Sequence, residues 1–411
     1  MRAFLLPLAL ALLAGCADPT STSGDSPEAT SPAVTEISVP AGADSGRPRL
    51  SATPGGTPLL SWTEPDTTRG ADGHALRYSF WRDAAWSTPE TAASGDDWFV
   101  NWADTPGVIP ISESLLLAHT LPMHPRGDSP YAYDAAASVG NGRVWTPAAL
   151  LHDDGMPAEH GFVSVAPLAN SSAGVVWLDG RAQSGGHDGD HAGAMSLRYA
   201  MLTASGERRG DAVLDVRTCD CCPTAIVSTP EGPLVAYRDR SEAEVRDVAV
   251  VRMVDGAWTS PIVPHADGWT INGCPVNGPA LSARGASVAL AWFTAAGDSA
   301  RVRLAFSRDS GATWGEAATL DRSAPLGRVG VAFIASGDAA VSWLGTSGDE
   351  AVLFVQRVSP SGAARDAVEV ARMDGSRASG IPRIVAAGDG VLVAWTDPSA
   401  AVPLRTARVQ L

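Results

Sequence analysis

The sequence predicts an all-β, seven-bladed β-propeller of four-stranded antiparallel blades, and three observations predict it. Gly 42 and Pro 30 punctuate a chain of 411 residues, and after residue 15 no apolar pattern keeps a helical period for long. Short strands and turns are therefore expected throughout. A hairpin unit recurs seven times, at 49–62, 101–119, 161–177, 222–237, 278–292, 327–343 and 381–395. The units close on Trp62, His119, Trp177, Tyr237, Trp292, Trp343 and Trp395, at spacings of 57, 58, 60, 55, 51 and 52 residues. Behind most hairpins comes a second pair of short strands, as in LRYSFWRDAAW and VRLAFSRDSGATW. Four strands per repeat of this length make a propeller blade, which buries each sheet face against its neighbours. Six blades is the alternative count if the divergent 101–119 repeat is not a blade.

At the N-terminus, Met1-Arg2 and the apolar run Ala3–Leu13 have the form of a secretory signal, too short to span a bilayer as a mature helix. Leu13-Ala14-Gly15-Cys16 resembles the lipobox of bacterial lipoproteins, which implies a signal peptide over 1–15 and lipidation of Cys16. Residues 16–35 are rich in Ser, Thr, Pro and Ala and bury little, so a tether is expected. The propeller domain is then 36–411. By resemblance to lipoprotein sorting rules, Ala17 and the aspartate after it favour the outer membrane of the cell envelope, held by the lipid anchor only. The last repeat stops at Leu411 with room for three strands, so the N-terminal stretch 36–42 (EISVPAG) is expected to supply the fourth and close the ring.

Charge narrows the chemistry. All 30 basic residues are arginine and there is no lysine, so phosphate-loop, Schiff-base and general-base lysines are excluded. A net charge of −15 argues against nucleic acid as a partner. A small molecule, a glycan or a protein is the expected ligand class, and a monomer the expected state.

Ser307-Arg308-Asp309-Ser310-Gly311-Ala312-Thr313-Trp314 matches Ser-x-Asp-x-Gly-x-Thr-Trp, with eroded copies ending at Trp86, Trp145 and Trp258. It resembles the Asp-box (BNR) repeat of the sialidase-like propeller superfamily, in which Ser307, Asp309, Gly311 and Trp314 build a turn. That resemblance implies three arginines clamping a carboxylate, a tyrosine–glutamate nucleophile pair and an aspartate acid/base. The match to this catalytic set is broken: Gly46 stands where the first arginine is expected, Gly380-Ile381-Pro382 has the same loss, and Cys222 stands where the glutamate is expected. Arg238 or Arg240 is left as the second arginine, while Tyr237 replaces a packing tryptophan. A binding module acting through its axial face is the reading adopted. An exo-α-sialidase-type glycoside hydrolase is the alternative, and whether the chain is an enzyme stays open.

In a propeller the innermost strands start near the axis, which gathers Arg49, Trp98, Asn101, Glu159, His160, Cys222, Cys274, Asn277, Arg328 and Arg383 on one face. Trp98, Trp102 and Trp269 are candidate platforms for a ligand there. Cys219, Cys221, Cys222 and Cys274 lie in two segments at the starts of adjacent blades four and five. In an exported protein two disulfides are expected, with all three pairings open. A soft-metal (copper or zinc) or redox site is the second alternative, with His160, His187 and His191 as added ligands. Asp179-Arg181, Arg238-Asp239-Arg240 and Glu244-Arg246-Asp247 are expected to be structural ion pairs, Arg240 doubling as a ligand candidate. The cysteine segment, the Arg-Asp-Arg hairpin and Gly273-Cys274-Pro275-Val276-Asn277-Gly278-Pro279 together resemble exported bacterial sialidase-like proteins over about 46–411.

Overall fold

In each hairpin the second strand carries the strongest apolar run, and burial explains it: a strand covered on both faces does not alternate. Ala173–Asp179 is buried at every position, as is Leu116–Thr120, and Gly390–Thr396 at all but the last. The computed structural model describes Met1 and residues 33–183, 193–348 and 350–411; Cys16, His187 and His191 lie outside them. Seven antiparallel sheets follow one another along the chain. Their innermost strands are Gly46–Ala52, Gly107–Pro110, His160–Pro167, Ala225–Thr229, Ala280–Arg284, Gly327–Phe333 and Arg383–Ala387. The divergent second repeat is a true blade, with Gly107–Pro110, Leu116–Thr120, Ala136–Gly140 and Ala149–Leu150 paired in order. Blade one carries one additional two-residue strand, Ala85–Trp86.

The seven hairpin-closing residues are all buried between sheets. Their polar edges are matched by acids: Trp177 Nε1 donates to Asp179 at 2.9 Å, Trp292 to Asp267 at 2.7 Å, Trp343 to Asp321 at 2.6 Å and Trp62 to Glu64 at 2.9 Å. A buried indole N–H left without an acceptor would be destabilising, so the acid and the aromatic recur together.

The ring closes with an N-terminal strand as expected, but over 33–37 instead of 36–42, so that residues 33–35 of the expected tether belong to the sheet. Ala33–Ile37 pairs antiparallel with Leu404–Gln410, Val34 facing Val409 and Ile37 facing Thr406. Thr406 Oγ1 donates to the Ile37 carbonyl at 3.0 Å and accepts from Trp86 Nε1 at 3.0 Å, tying the closure to blade one. The Asp-box forms the predicted turn. Asp309 takes hydrogen bonds from Thr313 N (2.9 Å), Thr313 Oγ1 (2.6 Å) and Ser307 Oγ (2.8 Å). The Thr313 bonds, first of all, hold the Asp309 carboxyl down at about 2. Gly311 has φ 80°, and any Cβ there would stand 1.9 Å from Leu234 Cδ1 of the preceding blade.

Candidate functional site at the axial mouth

A cavity of about 220 Å³ runs along the axis, lined by the innermost strands of all seven blades. Sheet register makes one ring of equivalent positions around it. Arg49 faces Ser61, Val108 faces Ala118, Ser164 faces Val176, Ala225 faces Ala236, Ala280 faces Ala291, Gly330 faces Ser342 and Arg383 faces Ala394. Each opposing residue directly precedes a hairpin-closing residue, so the seven positions correspond. Two are arginine, on adjoining blades one and seven; the others are small or apolar.

The innermost strands of blades one, three and six are bulged at their starts. Register slips between Gly46 and Arg49, Gly161 and Ser164, and Gly327 and Gly330. Arg47, Phe162 and Arg328 take left-handed φ values of 58°, 52° and 53° there. Bulges at strand ends re-aim side chains, and left-handed non-glycine residues persist only where surroundings over-determine them.

Arg49 donates from Nε to the Thr105 carbonyl and Oγ1, both at 3.1 Å, and from Nη2 to the Val163 carbonyl at 3.0 Å. Burial lowers its pKa to about 10, with the Asp104 charge opposing. Arg383 is different. Burial, then the Arg49 charge, pushes it down to about 9, and among the described residues its guanidinium has no hydrogen-bond or ion-pair partner, with Nε fully enclosed. Both remain cationic at neutral pH, so the shifts measure how poorly the site solvates them. Arg328 lines the same cavity but is satisfied: Nη1 donates to Ser376 O (3.1 Å) and Gly380 O (2.9 Å), and the group lies 5.0 Å over the Trp102 ring.

Beside Arg49 sits a carboxylate pair. Tyr133 Oη donates 2.7 Å to Asp104 Oδ2 and stands 3.1 Å from Glu159 Oε1, with its ring stacked on Phe99 at 4.0 Å. Gly161 permits this approach, because a Cβ there would stand 2.0 Å from Asp104 Oδ2. Burial first, then Asp104 and Glu159, drives the Tyr133 phenol well above its ordinary value. Burial first, then Asp104, pushes Glu159 up to about 8, with the Tyr133 hydrogen bond opposing. A carboxyl held neutral by the fold binds its proton more tightly folded than unfolded. Its contribution is therefore fully present below about 4.5 and lost as pH rises through about 8. Glu159→Gln is expected to flatten the decline in stability between pH 5 and 8, read as denaturant midpoints for both proteins; parallel wild-type and variant profiles would refute this.

His160 does not line the cavity. Its ring is stacked on His152 at 3.6 Å and 5°, and both imidazoles reach Asp154 at 3.0 Å. Asp134 holds His124 Nδ1 at 2.9 Å, and Arg181 holds Asp154 at 2.8 Å and Asp179 at 2.7 Å. We read the cluster as a clamp within and between blades two and three.

Of the cysteines, Cys221 and Cys274 form a disulfide joining the segments before blades four and five. Cys219 and Cys222 are free thiols, buried, with sulfurs 2.8 Å apart. Asn277 locks blades five and six, accepting from Arg328 N at 2.6 Å and donating to Leu326 O at 3.2 Å. Arg240 is matched by Glu244 (2.9 Å) and Asp220 (3.1 Å), as the ion-pair reading expects. Asn101 caps a local turn by accepting from Ala103 N at 2.8 Å. Trp98 packs into a core cluster against Gly95, and Trp269 lies under Arg238 at 4.8 Å, so neither is an open platform. Tyr133 and Asp104 escaped the sequence reading because they belong to connections of blade two that have no counterpart in the other repeats.

No protein-family model and no curated protein matches the chain. Among solved structures, the polysaccharide lyase Uly1 superposes with a TM-score of 0.50 at 10% identity, over 90% of each chain. A protein of unknown function from Dyadobacter fermentans gives 0.49 at 11% identity, over 92% of this chain and 98% of that one. The Hadza microbial sialidase Hz136 gives 0.42 at 14% identity, over 73% of this chain; the chain spans 63% of that sialidase's length. At 10% identity the likeness to Uly1 is one of fold alone.

Proposed function

We propose that the axial mouth binds a small anionic ligand, an organic carboxylate such as an acidic sugar or one acidic group of a larger glycan or protein. A single observation carries this: Arg383, a guanidinium without a hydrogen-bond or ion-pair partner among the described residues, beside Arg49 in the axial cavity. Two like charges in a poorly solvated site favour an anion, and the planar fork suits a carboxylate. The cavity, about 220 Å³, is below the roughly 300–1,000 Å³ of drug-sized sites, which sets the scale at a monosaccharide acid. Calorimetric titration with sialic, glucuronic and galacturonic acids and their neutral counterparts tests it. Acids that bind no better than neutral sugars would overturn it.

A hydrolytic reading draws on Tyr133 between Asp104 and Glu159, but a phenol pushed up by burial and two acids keeps its proton and is poorly activated as a nucleophile. No turnover of a fluorogenic sialoside above the Tyr133→Phe background is expected. Clear turnover abolished by Tyr133→Phe would replace the binding reading with a glycoside hydrolase.

A further inference from the structure

Cys219 and Cys222 are spaced Cys-x-x-Cys, and their sulfurs lie 2.8 Å apart. Both belong to the turn between Asp215 and Ala225, which is anchored by Cys219 N donating to Arg238 O at 3.0 Å and Thr218 N donating to Met195 O at 2.9 Å. Arg246 Nη1 stands 3.4 Å from Cys219 Sγ and is itself held by Glu244 at 2.7 Å. The fold thus places one cation against one sulfur of the pair. Cys219 and Cys222 are themselves 1% and 2% exposed, while Pro223 to Ile226 just past them line the axial cavity, so a small thiol compound reaches the sulfurs from that side only when the turn opens.

We propose that Cys219 and Cys222 form a redox-active dithiol–disulfide centre that exchanges two electrons with low-molecular-weight thiols and disulfides. In the oxidising direction the Cys219 thiolate attacks one sulfur of a small disulfide, whose S–S bond breaks and releases one thiolate. Cys222 gives its proton to that thiolate and attacks the Cys219 sulfur, expelling the second, which is protonated by solvent. Two electrons pass from the protein dithiol to the small disulfide, which leaves as two thiols; reduction is the reverse. Cys219 is the attacking sulfur. Burial raises its pKa, but the Cys222 hydrogen bond, the Cys221 N–H and the Arg246 and Arg238 charges outweigh that and lower it, whereas burial and Cys219 raise Cys222. A stabilised thiolate favours the reduced form and makes a Cys219–Cys222 disulfide easier to reduce. This centre stands independently of anion binding.

The test equilibrates the folded protein in reduced and oxidised glutathione mixtures, alkylates the remaining thiols and reads the Cys219–Cys222 peptide by mass. The two alkyl groups are expected to disappear together as oxidised glutathione rises, while Cys221 and Cys274 stay bonded. Arg246→Met is expected to move the midpoint toward the disulfide by roughly tenfold or more in glutathione ratio, the size of one charge-assisted hydrogen bond. Circular dichroism checks that this variant is folded; if it is not, the wild-type titration decides. Two alkylated cysteines at the highest oxidised glutathione, or crossed bonding to Cys221 or Cys274, would overturn the proposal, and an unchanged midpoint in folded Arg246→Met would overturn the role of Arg246.

Discussion

Arg383→Met is expected to weaken binding of the acidic ligand by about 10–100-fold and, at the same time, to make the free protein more stable. The affinity loss follows from removing a charged donor whose hydrogen bonds to a carboxylate contribute about 1.5–3 kcal/mol. The stability gain follows from the same feature. Burial and the neighbouring Arg49 charge both disfavour this guanidinium, and no carboxylate among the described residues compensates it. Methionine fills similar space without a charge to desolvate, and a gain on the order of 1 kcal/mol is expected. Calorimetry against the acid panel and thermal melts without ligand measure the two arms. A variant that binds as well as wild type, or that melts lower, would show that Arg383 serves the fold and not a ligand.

Arg238→Met should have the opposite character, a large loss of stability. Arg238 is 2% exposed, and its guanidinium donates to three carbonyls: Asn277 O at 2.8 Å, Arg246 O at 2.6 Å and Phe293 O at 2.7 Å. It also lies 4.8 Å over Trp269. The first two carbonyls belong to connecting segments and the third to blade five, so one side chain stitches blade four to its neighbour. Methionine would leave three buried acceptors unpaired at about 1–3 kcal/mol each, partly recovered by water, for a net cost of about 4 kcal/mol. Arg238→Lys cannot restore the planar fork. Equilibrium denaturation measures this; a loss under about 1 kcal/mol would mean the three contacts are dispensable.

The contrast between these arginines was not visible in the sequence, where Arg49, Arg328 and Arg383 entered as one class. Structure separates them by what surrounds each guanidinium: carbonyls for Arg49 and Arg328, and no hydrogen-bond partner among the described residues for Arg383. Arg238 follows the closing residue of its hairpin, where other blades have Thr63, Thr120, Leu178, Phe293, Leu344 and Thr396. An arginine among those fits a ligand clamp or the expected ion pair, and the structure gives it three neutral carbonyls instead. Trp98 and Trp269 stayed candidates for a related reason: an aromatic next to a predicted mouth is equally consistent with the packing beneath it, and here both pack against neighbouring groups.

Periodicity determined the blade count and the stacked closing residues, one local motif the Asp-box turn, and the strand count the closing of the ring by the N-terminal segment. These depend on local patterns repeated along the chain, and a repeated pattern is readable wherever it recurs. The meeting of Tyr133 with Asp104 and Glu159, the choice of Cys221–Cys274 among the open pairings, and the isolation of Arg383 were decided only by the tertiary structure. Each depends on which groups from different blades come within a few ångströms, and on whether a charge finds a partner once water is excluded. Circular closure sets both, and no single segment encodes either.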